Sequence, residues 1–141
     1  MPEKETIERA RRDKAQGKAP STQAGEFVRE EIEHIREGKH GARSTKQAIA
    51  IGLSKARRSG VKLAPPKSGP SRQKAQQDLH RQGKKASPRR ARAVRSALKR
   101  EGRSAASRTA LARQARTTAR RRGPAARHRA AVKAARTRAS H

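Results

Sequence analysis

TQAGEFVREEIEHIREGKHGARSTKQAIAIGLSKARRSGVKL, residues 22–63, holds nine of the 15 Ile, Leu, Val and Phe residues in a chain of 141. No other stretch concentrates enough apolar side chain to form a core. Its first half places Ala24, Val28, Ile32 and Ile35 at i, i+4, i+8 and i+11, beside Phe27. That spacing is one apolar face of an α-helix, entered at Ser21 or Thr22 as N-cap and ended by Gly38. Its second half opens with Ser44 and, three residues later, Gln47, a capping box. The helix that follows is expected to line one side with Ile49, Leu53 and Ala56. Gly60 suits a left-handed stop, and Pro65 and Pro66 prevent resumption. Two amphipathic helices joined by about six residues predict a helical hairpin over about 22–60.

Outside this stretch the chain is poor in material for a core. Ile, Leu, Val and Phe make up about 11% of it, below the roughly 20% at which high net charge points to disorder. Residues 1–20 predict a marginal helix from about Thr6 to Gln16, stopped by Gly17, with little beyond Ile7 to bury. Residues 65–141 read as a basic Ala/Arg-rich tail, largely disordered or conditionally helical. Its units are 71–82 ending at Gly83, one opened by Ser87-Pro88 and ending at Gly102, one opened by Ser104 and ending at Gly123, and one opened by Pro124 and reaching about Arg138. The expected class is mainly α: a small hairpin, residues 21–64, carrying a long cationic tail.

Charge divides the chain earlier, at about residue 40. Residues 1–40 hold nine basic and nine acidic side chains; 41–70 hold seven basic and none acidic; 71–141 hold 23 basic against Asp78 and Glu101. The net charge of +28 therefore lies wholly after residue 40. A polycation of this density calls for a polyanion, with nucleic acid the default and DNA preferred over RNA. Arg120, Arg121 and Arg122, then Arg127, Arg129 and Lys133, place cations on most sides of a helix, a distribution that neutralises phosphates without reading bases. Arg89, Arg90 and Arg95 would add to them, and Lys46, Lys55, Arg57 and Arg58 would extend the contacts onto the hairpin.

Other patterns point less far. Ser87-Pro88-Arg89-Arg90 is similar to a basic minor-groove turn of some histone tails, but an N-cap Ser with Pro at the first helical position explains the same residues. Gly38, Lys39, Gly41, Ser44, Thr45 and Lys46 lack the order of a Walker loop and have no strand before them. A backbone phosphate of nucleic acid at this helix start, assisted by Arg43 and Lys46, fits better. Glu31 and His34 have the Glu-x-x-His spacing of carboxylate metal sites, but the partner helix offers no carboxylate, so a solvated helix surface is expected and no metal. His40, His80, His128 and His141 are scattered without ligand spacing, and nothing assembles a catalytic set, so the expectation is a non-enzyme without cofactor. One Phe and no Tyr or Trp exclude base-stacking platforms. The hairpin loop exceeds that of a helix-turn-helix.

No cysteine is present, which removes disulfides and thiolate chemistry. The chain shows no membrane span and no apolar secretion-signal region, so the expected address is the cytoplasm, on the nucleoid.

The stretch GARSTKQAIAIGLSKARRSGVKL, residues 41–63, resembles the marker of a family of small basic bacterial and phage proteins of unknown function, whose core reads SRKQAIAIGLSEARKAG. The match runs through Lys46, Gln47, Ala48, Ile49, Ala50, Ile51, Gly52, Leu53, Ser54, Ala56, Arg57 and Gly60, and departs at Lys55, where phage versions often carry Glu. TQAGEFVREEIEHIREGKHG, REGRSAAS and GPAAR are similar to segments of longer bacterial members, and RRRGPAARHRAAVKAARTR resembles linker-histone tails in composition. The resemblance implies no activity, cofactor or catalytic residue. Two function classes follow: a histone-like nucleic-acid-binding protein without marked sequence preference, or an interaction module in which 22–63 docks a second copy or another protein while the tail contacts acidic partners or RNA.

Overall fold

The structure, a computed structural model, describes residues 2–83 and 87–140. The order is α1 Lys4–Ala15, α2 Pro20–Arg36, α3 Thr45–Arg58, α4 Pro70–His80, α5 Pro88–Lys99, a 3-10 turn Ser104–Ala106 and α6 Arg108–Ser140. The protein is mainly α, with no strand among the described residues. It divides into two units, one up to Ser107 and one from Arg108 on.

In the first unit, α2 and α3 form the expected hairpin. α2 starts one residue before the expected caps: Pro20 holds the first helical position, where its fixed φ is preorganised, and Ala19 stands before it without a side-chain cap. α3 starts where its capping box predicts. The Gln47 backbone N–H donates to Ser44 Oγ at 3.1 Å, and Gln47 Oε1 in turn accepts from the Arg43 N–H at 2.6 Å.

The contact between the two helices differs from the expected face. The buried row on α3 is Ala48, Gly52 and Ala56, while Ile49 and Leu53 lie half-buried on its flank. Small side chains win this face because α2 comes closer than larger ones allow: a Cβ at Gly52 would stand 2.6 Å from Val28 Cα. Phe27, Ala24, Ala10, Ala56 and Val61 form the core, with Ile7, Leu53 and Leu63 packed against it.

Ile7 and Ala10 belong to α1, so the helix expected to be marginal is docked on α2. Polar contacts supply what its few apolar side chains do not. Glu30 Oε1 accepts from the Glu3 N–H at 2.6 Å and from Thr6 Oγ1 at 3.3 Å, and Arg9 Nε meets Glu26 at 3.0 Å. A pattern read for apolar periodicity alone misses such a helix.

The segment after Pro66, expected as the start of the tail, also contributes to this unit. α4 packs on α3. Farther on, residues 98–106 strap the α2–α3 loop: Gly41 N–H donates to Leu98 O at 2.8 Å, Ala42 N–H to Gly102 O at 3.0 Å, and Thr45 Oγ1 to Ala105 O at 2.7 Å. Ala105 and Ala106 are buried in the 3-10 turn. Ser104 therefore opens this turn rather than a long helix, and α6 begins at Arg108. The strap requires glycine at 41, since a Cβ there would lie 2.0 Å from Glu101 O.

Asp78, the only acid between residues 38 and 100, anchors α4. It is buried, accepting from Lys74 Nζ at 2.7 Å and Arg58 Nε at 3.2 Å. Burial by itself would raise its pKa, but hydrogen bonds from Lys74 and Ser54 and the charges of Lys74 and Arg58 outweigh burial and hold it below the ordinary aspartate value. A carboxyl lowered by folding contributes stability that is complete above its unfolded pKa and disappears as pH falls through the folded one. Asp78→Asn should cost about 1–3 kcal/mol at neutral pH. The same variant should flatten the loss of stability below about pH 4 in urea melts followed by circular dichroism; an unchanged acid limb would remove Asp78 from this role.

The second unit is α6. It is helical over 108–122 and over 124–140, with a break at Gly123 (φ 78°, ψ 168°) just before Pro124. The sequence places that stop and restart correctly.

Candidate nucleic-acid interface

The expected phosphate-binding cations fall into two groups. At the end of α3, three of them are engaged inside the first unit. Lys55 Nζ is ion-paired with the buried Glu31 carboxylate, and Arg58 is paired with Asp78. Arg57 is itself buried: its guanidinium donates from Nε to Leu63 O at 3.1 Å and from Nη2 to Ala64 O at 3.2 Å. Burial pushes the Arg57 pKa down, with the charge of Asp78 acting the other way. The structure thus places Arg57, expected as a phosphate contact, in a buried position that ties the end of α3 to the segment after it. Lys46, on the first turn of α3, remains exposed.

Arg89, Arg90 and Arg95 lie exposed on α5, and Arg120, Arg121, Arg122, Arg127, Arg129 and Lys133 lie exposed on α6. Neither helix has a buried residue. Ser87 Oγ accepts from the Arg90 N–H at 3.3 Å with Pro88 in the first turn, so Ser87-Pro88-Arg89-Arg90 is a helix start. Within α5, Arg92, Arg95 and Lys99 sit at i, i+3 and i+7 and so share a face, next to a stripe of Ala91, Val94 and Leu98.

α6 contains 11 basic residues and no acidic one. Arg108, Arg113, Arg116, Arg120, Arg121 and Arg122 belong to its first arm, and Arg127, Arg129, Lys133, Arg136 and Arg138 to its second. At 1.5 Å per residue the arms are about 22 and 25 Å long. Arg127 Nε donates to Gly123 O at 3.3 Å across the break.

Acidic side chains of the first unit are largely consumed locally. Glu5 and Glu26 pair with Arg9, Asp13 with Lys18, Glu33 with Arg29, Glu37 with Lys39, and Asp78 with Arg58 and Lys74. Among the described residues no salt bridge involves a residue after Asp78. The cations of α5 and α6 thus face water without a counter-charge of their own, and like-charged helices of this kind gain from an external anion.

The sequence reading missed the buried Glu30–Glu31 pair and its neighbours. Glu31, expected on a solvated surface, is fully buried: Oε1 meets Lys55, and Oε2 lies 3.1 Å from His40 Nε2. Glu3 and His34 meet at 3.1 Å. The spacing Glu31-x-x-His34 was visible; His40, reached only through the loop, was not. His141 lies outside the described residues.

Over residues 11–68, the chain matches a family described as a family of unknown function (DUF6496). The match runs from the last turns of α1 through the hairpin to the loop before α4. No curated protein and no solved structure matches the chain. No helix among the described residues is long and apolar enough to cross a membrane.

Proposed function

We propose that this protein is a non-enzymatic nucleic-acid-binding protein that coats or compacts DNA through its phosphates, with little sequence preference. The observation that carries the reading is α6: 33 residues with 11 cations, no acid, no buried side chain and no internal ion pair among the described residues. Arg120, Arg121, Arg122, Arg127, Arg129 and Lys133 supply phosphate contacts there, with Arg89, Arg90 and Arg95 on α5 and Lys46 on α3 as additions. Cations spread around a helix and broken into two arms by Gly123 suit a backbone surface better than a set of base edges.

The first unit holds the basic segments in one chain rather than reading sequence. Its hairpin buries its apolar face against α1, α4 and the 3-10 turn, which leaves 22–63 little free apolar surface for a protein partner. The nucleoid is the setting this reading favours.

Fluorescence anisotropy with two duplexes of unrelated sequence and one RNA of equal length tests the proposal. Near-equal affinities for the two duplexes, falling steeply with salt, are expected. A preference of more than about 10³ for one duplex, the scale of specific over non-specific binding, would exclude it, as would failure to bind at low salt.

A further inference from the structure

We infer that Glu31, His34 and His40 form a binding site for one divalent transition-metal ion of the zinc class, separate from the basic helices. One ligand atom from each of the three lies within 4.8 Å of the other two. The side chains are shielded: Glu31 is 1% exposed, His34 14% and His40 12%. Two imidazoles and one carboxylate are a recurrent three-ligand zinc set that leaves a fourth position open.

The hydrogen bonds around the triad orient it for a cation. His40 Nδ1 lies 2.8 Å from Gly41 O. A carbonyl only accepts, so Nδ1 carries the hydrogen, and the lone pair of neutral His40 resides on Nε2. That nitrogen faces Glu31 Oε2 at 3.1 Å. Two acceptors therefore confront one another at a buried place, and a cation between them, or a proton shared by the pair, reconciles them. His34 has the same kind of support, because its Nε2 is held at 3.1 Å by the Glu3 carboxylate. Lys55 binds the other oxygen of Glu31. A histidine fixed through its second nitrogen and a carboxylate fixed through its second oxygen are the outer-shell arrangement of metal sites.

Distances and charge agree. Ligands about 2.1 Å from a tetrahedral ion stand about 3.4 Å apart. The His40–Glu31 pair is already at 3.1 Å, and His34 offers a ligand atom within 4.8 Å of both, so closure asks for an approach of His34. The rings of His34 and His40 meet edge to face with centroids 6.1 Å apart. Glu30 Oε2 is buried without any hydrogen-bond partner, and Glu3, Glu30 and His34 form a second close group. Buried negative charge in excess of its partners favours a divalent cation at this spot.

The test uses the untagged full chain, freed of nucleic acid at high salt. Co²⁺ titration should develop the visible absorption of a four-coordinate nitrogen and oxygen site at one equivalent, Zn²⁺ should displace it, and Zn²⁺ should raise the melting temperature. His40→Gln and His34→Gln should weaken Co²⁺ binding by about 100-fold or more, while His80→Gln and His128→Gln leave it unchanged. Circular dichroism checks that each variant keeps its helices, and the melting shift of the unaltered chain stands independently of any variant. The inference is overturned if folded protein shows neither absorption nor melting shift at submillimolar metal. It is equally overturned if binding survives His40→Gln and is lost in Glu3→Gln, which would place the ion at the Glu3, Glu30 and His34 group.

Discussion

Affinity of the full chain for duplex DNA should fall by about 10³- to 10⁵-fold between about 50 and 200 mM salt, if six to ten phosphates are neutralised. α6 supplies enough exposed cations for all of them. The log-log slope follows the number of displaced counterions, about 0.9 per phosphate on duplex DNA, so the cations are countable one group at a time. Replacing Arg120, Arg121 and Arg122 by Gln should lower the magnitude of that slope by about 2 to 3. The same variant should reduce low-salt affinity about uniformly across sequences, because phosphate contacts carry no base information. Since α6 buries no side chain, the substitution has no core to disturb, and urea melts of the first unit should not move. Arg57→Gln inverts the pattern: it removes the donors to Leu63 O and Ala64 O, so stability should fall while the salt slope stays constant. If the triple variant binds with an unaltered slope, α6 is not the phosphate-binding element.

The helices were readable from caps and breakers because those are local: Ser44 with Gln47, Ser87 with Pro88, and Gly123 with Pro124 each act within a few residues. The hairpin followed from helical periodicity in the same way. What escaped was the set of interactions that cross sequence distance through polar atoms. α1 docks through Thr6 and Glu3 on Glu30, and α4 docks through Asp78 on Arg58; neither leaves an apolar pattern. The strap of 98–106 is held through its backbone carbonyls, which accept from the Gly41 and Ala42 N–H groups and from Thr45 Oγ1 and Arg36 Nε, and side-chain identity within the strap is nearly silent about such bonds. For the basic surface the converse held. Exposed cations on α5 and α6 follow from composition, since helices without large apolar side chains have nothing to bury. Lys55, Arg57 and Arg58, in contrast, end an amphipathic helix, where the long apolar stems of such residues can be covered and their charged heads directed to carboxylates or carbonyls of the same unit.

Two glycine substitutions in the hairpin should move stability in opposite directions. Gly52→Val should unfold the first unit or cost it more than about 3 kcal/mol, seen as loss of the cooperative urea transition. The cause is backbone contact: the first added carbon would stand 2.6 Å from Val28 Cα and 2.8 Å from Val28 N, and neither atom can swing aside as a side-chain tip would. α2 and α3 must then separate, and the seam of Ala48, Gly52 and Ala56 opens along its length. Gly25, within α2, has open space where its Cβ would be. Gly25→Ala should therefore add about 0.5–1 kcal/mol by reducing the freedom of the unfolded chain and restoring helix propensity. Both glycines have helical neighbours on either side and are indistinguishable by propensity. Their separation in the experiment measures how closely the two helices approach, and similar effects of both substitutions would mean that the hairpin does not pack through Gly52.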